Sequence, residues 1–334
     1  MKFVPYTALV GEPNVIVDGA ATTATVLTLS HWPGSTVPAP LRADLSAEIA
    51  VRYLERPDER VDADLVSNNH FDEDGLLGLY ALVFPDDALA RRELVIDVAR
   101  AGDFAWSHTR QAARVAFALS SFVDPAVSPL DAAVFQGEYQ EVAARLYGEL
   151  LPRTTELLTN PDRFRDLWAD EDAHLTMSNA MLDDGEATIV ERPELDLAIV
   201  TVPPTLRERV VHRFTQTRDA GLHPMAVHNR TEMSRVAYVS GHHYEVQQRY
   251  ETWVQLVSRR PLPRQDLGVL AERLNHLEAD GGKWQFDGAD YITPRLALRD
   301  ATESSIGPTQ FVAELLTFLP DAPSAWDPWA PRNA

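Results

Sequence analysis

Cysteine is absent from this 334-residue chain, which excludes disulfides, a thiolate nucleophile and Cys-ligated zinc. Lysine is nearly absent. Lys2 and Lys283 are the only two, so Schiff-base chemistry has little to draw on and arginine must supply most positive contacts. No run of about 18 uncharged apolar residues occurs, so no membrane span is expected. The opening MKFVPYTALVGEPN lacks a long apolar segment and a small-residue cleavage site. A signal peptide is therefore not expected, and the cytoplasm is the expected location. GxSxG, P-loop and GxGxxG motifs are missing, which weakens the case for a serine hydrolase, a P-loop NTPase or a Rossmann dehydrogenase. Positive charge is in short supply, with 50 acidic against 30 basic residues and a formal net charge of −20. Such a field repels polyanions, so duplex nucleic acid is not an expected partner. A small phosphorylated substrate stays compatible if a metal or local arginines invert the sign at its site.

What is present suits a large soluble core. The hydrophobic fraction is 45%, and the length suits two domains. NVIVDG (14–19) reads as a buried strand ending at Asp18-Gly19, and TVLTLSHWPGS (25–35) as a strand running into a Trp-Pro-Gly turn. ADLSAEIAVRYLE (43–55) reads as a helix capped by Asp44 or Ser46, and ADLVSN (63–68) as a third strand. GLLGLYALVF (75–84) is apolar all round and reads as a buried helix. Residues 91–104 and 107–122 read as helices with a break near Gly102, where Asp103 suits an N-cap.

The expected fold class is α/β. A parallel-sheet domain spans 1–125, a helical linker 126–184, a second and smaller α/β domain 185–320, and a tail 321–334. In the second domain, strands are expected at 186–190, 195–202, 225–229 and 235–241, with helices at about 205–220, 246–258 and 266–279. Trp106, Trp168, Trp253 and Trp284 read as core or interface residues.

Ligands of open α/β sheets sit at the carboxyl ends of strands. Asp18 ends the first strand, His31 the second, and His70-Phe71-Asp72-Glu73-Asp74-Gly75 follows the third. Asp103 would join them from the AGDF segment. Two His and several carboxylates on one edge suit a hard divalent ion, Mn²⁺ or Mg²⁺. The simpler reading is that the acids after His70 sit at a helix N-terminus, where they favour the dipole. An EF-hand is disfavoured, because spaced oxygen ligands and the final Glu are missing.

His70-x-Asp72-x-Asp74-Gly75, between an apolar strand and an apolar helix, resembles the first motif of the DHH phosphoesterase superfamily. Asp18 in VIVDG resembles its second-motif aspartate, the segment around His31 its third motif, and ELVIDVARAGDF its fourth. The motifs stand in permuted order, and Ser30-His31-Trp32 replaces Asp-His-His. The resemblance implies two-metal hydrolysis of a phosphate ester or phosphoanhydride. His70 and Asp72 would bind one ion. Asp74, His31 and Asp103 would bind the other, and Asp18 would bridge. Asp18, Asp74 and His31 would then be catalytic, with a bridging water as nucleophile. Arg230, Arg235 and Arg249, with His242 and His243, would hold the phosphate at a strand end just before a helix. The expected partner is a small phosphorylated molecule, with a homodimer as a compatible assembly. Two alternatives accompany this reading. One is a degenerate DHH-like protein that binds without turnover. The other is an Fe(II)/2-oxoglutarate oxygenase using His70-x-Asp72.

Overall fold

A computed structural model describes residues 1–204, 210–212, 216–218, 221–279 and 281–330. The chain is mixed α/β and divides into two units. The first holds Met1–Ala173 with Leu256–Ser258, and the second, smaller one holds the remainder.

In the first unit, β1 (Lys2–Phe3), β2 (Asn14–Val17), β3 (Thr25–Leu29) and β4 (Leu65–Ser67) form a sheet in the order β1-β4-β2-β3, with every pairing parallel. Val15, Ile16, Val17, Leu29 and Val66 are fully buried. A strand covered on both faces needs such unbroken apolar runs, and each side chain contributes roughly 1.5–3 kcal/mol on burial. The β2–β3 return uses only residues 18–24, with no helix. Asn14 stitches it: its amide donates to Glu12 O (2.9 Å) and its carbonyl accepts from Thr25 Oγ1 (2.8 Å). Asp18 makes the exit turn at φ +48°, a conformation that Asp tolerates better than most residues.

Helices α1 (Ser46–Glu55), α2 (Glu73–Val83), α3 (Pro85–Ala90), α4 (Arg92–Phe104), α5 (Arg110–Val123), α6 (Tyr139–Leu150), α7 (Thr154–Thr159) and α8 (Arg165–Asp183) follow. As the all-apolar stretch predicts, Leu76, Leu77, Leu79 and Tyr80 of α2 are fully buried. Gly78 lets α2 lie directly on the sheet, for a Cβ there would stand 2.5 Å from Val17 Cγ1 and 3.4 Å from Ala47 Cα. The expected break near Gly102 is not observed. Helix α4 continues to Phe104 and stops at Ala105, which takes a left-handed conformation at φ +50°.

Residues 126–173 were expected to be a linker but belong to the first unit. Tyr147 of α6 is fully buried between Phe71 (4.8 Å between centroids) and Phe3 (5.3 Å). The boundary falls inside α8 instead.

The second unit holds β5 (Thr188–Arg192), β6 (Leu197–Thr201), β7 (Val210–His212), β8 (Gln216–Arg218), α9 (Pro224–His228), β9 (Arg235–Ser240), β10 (His243–Gln248), β11 (Arg264–Gln265), α10 (Gly268–Leu277), β12 (Lys283–Phe286), β13 (Arg295–Arg299), α11 (Pro308–Phe318) and β14 (Ser324–Trp326). Its main sheet runs β12-β13-β10-β9-β6-β5, antiparallel except for β6-β9. Tyr244, Trp284 and Phe311 stack in its core, Phe311 lying 4.4 Å from Tyr244 and 5.4 Å from Trp284.

Three expectations give way here. The strand at 225–229 is helix α9, started by Pro224 and by His223 Nδ1, which accepts from Met225 N (3.0 Å). The helix at 246–258 is instead the end of β10 and a short 3₁₀ turn at Tyr250–Thr252. The helix at 205–220 lies largely outside the described residues, and the parts within them, β7 and β8, are an antiparallel pair. In the tail, β14 pairs with β11, and 331–334 lie outside the described residues.

Candidate metal centre

The carboxyl edge of the parallel sheet gathers the residues singled out in the sequence. Asp18 leaves β2, His31 follows β3 by two residues, and His70 and Asp72 lie in the loop from β4 to α2. Asp74 sits in the first turn of α2 and Asp103 in the last turn of α4, so Asp103 is not an N-cap. His31 Nε2 lies 3.5 Å from Asp18 Oδ1, 3.6 Å from Asp74 Oδ2 and 3.6 Å from Asp103 Oδ2. His70 Nε2 lies 2.7 Å from Asp72 Oδ2 and 3.3 Å from Asp18 Oδ2. Asp18 thus turns one oxygen to each imidazole.

Backbone and hydroxyl donors fix this arrangement. The His31 Nδ1–H donates to the Asp44 carbonyl, an oxygen that can only accept, which turns Nε2 toward the carboxylates. Ser46 Oγ donates to Asp18 Oδ1 (2.8 Å), and the His31 N–H donates to Ser46 Oγ (3.3 Å). Neither Asp44 nor Ser46 caps α1 with its side chain, contrary to expectation. The carboxylate of Asp74 takes that place, accepting from Ser46 N and Ala47 N at 2.7 Å each. Asp44 Oδ1 instead accepts from Val257 N and Ser258 N. Asp72 does cap α2, accepting from Gly75 N (2.6 Å), but with Oδ1 only. Its Oδ2 faces His70. Capping and facing an imidazole are therefore not rival roles for these acids: Asp72 divides them between its two oxygens, and Asp74 Oδ2 does both.

Asp18, Asp74, Asp72 and Asp103 are buried, as is His31, while His70 is partly open to solvent. Burial alone would raise the pKa of Asp18, yet its carboxyl is held below the usual range by His70 beside it, by the charge of His31 and by the Ser46 hydroxyl. Asp74 is pushed up to about 6 by burial and then by the charge of Asp18. Glu73, next in sequence and accepting from Ser120 Oγ (3.1 Å), is pushed up to about 7 by burial. Like-charged carboxylates held this close out of water are costly unless a cation joins them.

Among the described residues, two donor groups meet the geometric requirement for a metal ion, Asp18–His31–Asp74 and Asp18–His70–Asp72, with all donor atoms of each within 4.8 Å of one another. Asp103, expected as a ligand, approaches His31 but belongs to neither group.

The second-unit residues expected to hold phosphate each have partners within that unit. Arg235 is buried, donating to Leu195 O and to Pro263 O (3.0 Å). Arg249 is buried against Glu251 and the Thr231 carbonyl (2.8 Å). Arg230 pairs with Asp183 at 2.6 Å. His242 Nδ1 and His243 Nδ1 bond the Ser304 (2.9 Å) and Thr302 (3.1 Å) carbonyls. Strand β10, not a helix, follows the His pair, so no helix N-terminus faces an anion there.

Reading the sequence missed the supporting residues Asp44, Ser46 and Tyr147. The Tyr147 hydroxyl donates to the His70 carbonyl (2.8 Å) across 77 positions in sequence, a contact for which no local pattern exists.

The fold and the site define an α/β protein whose buried Asp and His groups could hold a metal ion. The chain belongs to a family of unknown function, DUF6687, whose model matches residues 1–330. Neither a curated protein nor a solved structure matches it. No helix among the described residues is long and apolar enough to cross a membrane.

Proposed function

We propose that this protein is a divalent-metal-dependent hydrolase of a phosphate ester or phosphoanhydride, using two Mn²⁺ or Mg²⁺ ions. The observation that carries the reading is the shared aspartate. Asp18 belongs to both donor groups and turns a different oxygen to each, an arrangement in which one carboxylate could join two ions. Hard oxygen donors with one imidazole per group suit Mn²⁺ and tolerate Mg²⁺. The resemblance to DHH phosphoesterases points to the same chemistry. Bound ions would supply a water of lowered pKa and neutralise charge on a phosphoryl group.

The chain's own residues do the positioning. The Asp44 carbonyl anchors His31 Nδ1 and so turns Nε2 toward the carboxylates. Ser46 orients Asp18, and the Ser46 and Ala47 N–H groups fix the plane of Asp74. Asp72 is held by Gly75 N, and the backbone carrying His70 by Tyr147. The oxygenase alternative needs a β-jelly-roll, whereas His70 and Asp72 follow a strand of a parallel α/β sheet.

The test is elemental analysis of unchelated protein, followed by phosphate release from Mn²⁺-loaded protein offered aryl phosphate mono- and diesters, pyrophosphate and dinucleotides. Turnover that Asp18→Asn abolishes supports the hydrolase. Absence of metal after Mn²⁺ loading refutes the hydrolase and favours the binding-only alternative.

A further inference from the structure

The two donor groups are unequal, and the inequality is geometric. Around His31 Nε2 the nearest oxygens of Asp18 and Asp74 stand 3.5 and 3.6 Å away. Two donors that each lie about 2.1 Å from one ion are separated by roughly 3–3.5 Å, so this position is held nearly open to ionic dimensions. Around His70 one of the two spacings is collapsed: a 2.7 Å hydrogen bond joins Nε2 to Asp72 Oδ2, while Asp18 Oδ2 stands 3.3 Å away. An ion entering there must break that bond.

Support differs in the same sense. His31 has its Nδ1 anchored on Asp44 O, and both Asp74 oxygens are held by backbone N–H groups. His70 Nδ1 has no hydrogen-bond partner among the described residues, and its ring rests on Trp32 (5.1 Å between centroids). Anchoring the second imidazole nitrogen fixes the tautomer and ring orientation, and its loss typically costs 10- to 100-fold in metal affinity. Access differs too. The His31, Asp18 and Asp74 side chains are 0% exposed, whereas that of His70 is 15% exposed.

We infer that the position at Asp18–His31–Asp74 is a tight, retained metal site, and that the position at Asp18–His70–Asp72 is a weaker site that exchanges its ion with solution. This rests on the two-ion reading above and adds to it a means of regulation. The protein retains one ion, and free divalent cation sets the fraction that is complete. The ion nearer solvent, held by His70 and Asp72, is then the one placed to meet substrate.

The experiment is titration of chelated, dialysed full-length protein with MnCl₂, followed by calorimetry and by electron paramagnetic resonance. Two steps are expected, the first at least ~10-fold tighter. Asp72→Asn should remove the weak step and leave the tight one within about threefold, because Asp72 touches only the outer group. His70→Ala, which alters a partly exposed side chain, should do the same and guards against misfolding in the first variant. Asp74→Asn should remove the tight step. Two steps of equal affinity in the wild type, or loss of the tight step in Asp72→Asn and His70→Ala while a weak one remains, overturns the assignment. A wild type that binds no Mn²⁺ refutes the two-ion reading itself, a result distinct from either.

Discussion

Both units bury charge, and they do so in opposite ways. In the second unit, fully buried Arg264 donates to Thr252 Oγ1 (2.6 Å) and to the carbonyls of Ala289 (2.9 Å), Arg249 (3.2 Å), Ile292 (2.7 Å) and Tyr291. Burial pulls this guanidinium down to about 9, yet its donors have partners and it remains charged at neutral pH. In the first unit, buried carboxylates face two imidazoles and one another, and burial with the charge of Asp18 pushes Asp74 up to about 6. A buried ion whose hydrogen bonds are complete is architecture. Buried ions of one sign whose oxygens converge form a site that gains from a cation. Each half of this contrast can be attacked separately.

The largest effect is expected at the shared carboxylate. Asp18→Asn removes charge from both donor groups at once. Metal content should fall from two equivalents toward none, and any phosphohydrolase activity should drop by about 10³-fold or more, the scale of losing a group that acts on transition-state charge. Elemental analysis with far-ultraviolet circular dichroism separates this from unfolding. A variant that keeps both ions would show that the convergence on Asp18 is not a metal site.

The arginine half predicts the converse. Arg264→Met leaves several buried carbonyls without donors and should cost about 3 kcal/mol or more of stability, read by urea unfolding. Its metal content should not change. Metal loss without loss of stability would reverse the roles assigned to the two regions.

The contrast also has a pH signature in the chelated protein. Glu73 and Asp74 have folded pKa values of about 7 and 6, above their ordinary values of 4.5 and 3.8. The folded state therefore binds more protons than the unfolded chain between about pH 4 and 7, so stability falls as pH rises through that window. Glu73 alone corresponds to roughly 3 kcal/mol at most. Asp18, shifted downward, acts the other way, losing its contribution as pH falls below its ordinary value of 3.8. Chelated protein should unfold at a lower temperature at pH 7.5 than at pH 5, and Mn²⁺ should restore the difference by binding the folded state. A melting temperature that climbs from pH 5 to 7.5 without metal would contradict the sign.

How far the sequence carried depended on whether the information was local. The buried strands and the all-apolar helix α2 are local patterns, and so is the clustering of Asp18, His31, His70, Asp72 and Asp74 at strand ends. All were legible. The support for the cluster was not. Ser46 reaches Asp18 across 28 positions and Tyr147 reaches His70 across 77, and neither pairing leaves a periodic trace. The surroundings of the candidate phosphate arginines were illegible for a related reason. Charge marks Arg235 and Arg249 as candidates, but the Pro263 and Thr231 carbonyls that they bond lie on distant segments. Asp103 misled because the AG dipeptide before it reads as a break, whereas the packing of Gly102 on Glu73, where a Cβ would stand 2.4 Å from the Glu73 Cβ, keeps the helix going.

The smallest expected effect is the sharpest check on that error. Arg230 is the one sequence-selected arginine with substantial exposure, 30% of its side chain, and its ion pair to Asp183 is open to solvent. Exposed pairs of this kind contribute about 0–1 kcal/mol. Its donations to Asn179 and to the Ala226 carbonyl (3.1 Å) tie α9 to the end of α8. Arg230→Ala should therefore leave metal content unchanged, shift the unfolding midpoint only slightly, and leave KM for any phosphate ester that the Mn²⁺-loaded protein turns over within about twofold, since a lost direct phosphate contact would instead cost ~10-fold or more. A tenfold rise in KM at constant kcat would return this arginine to the substrate. It would also show that charge and position in the sequence had located a phosphate contact that side-chain geometry conceals.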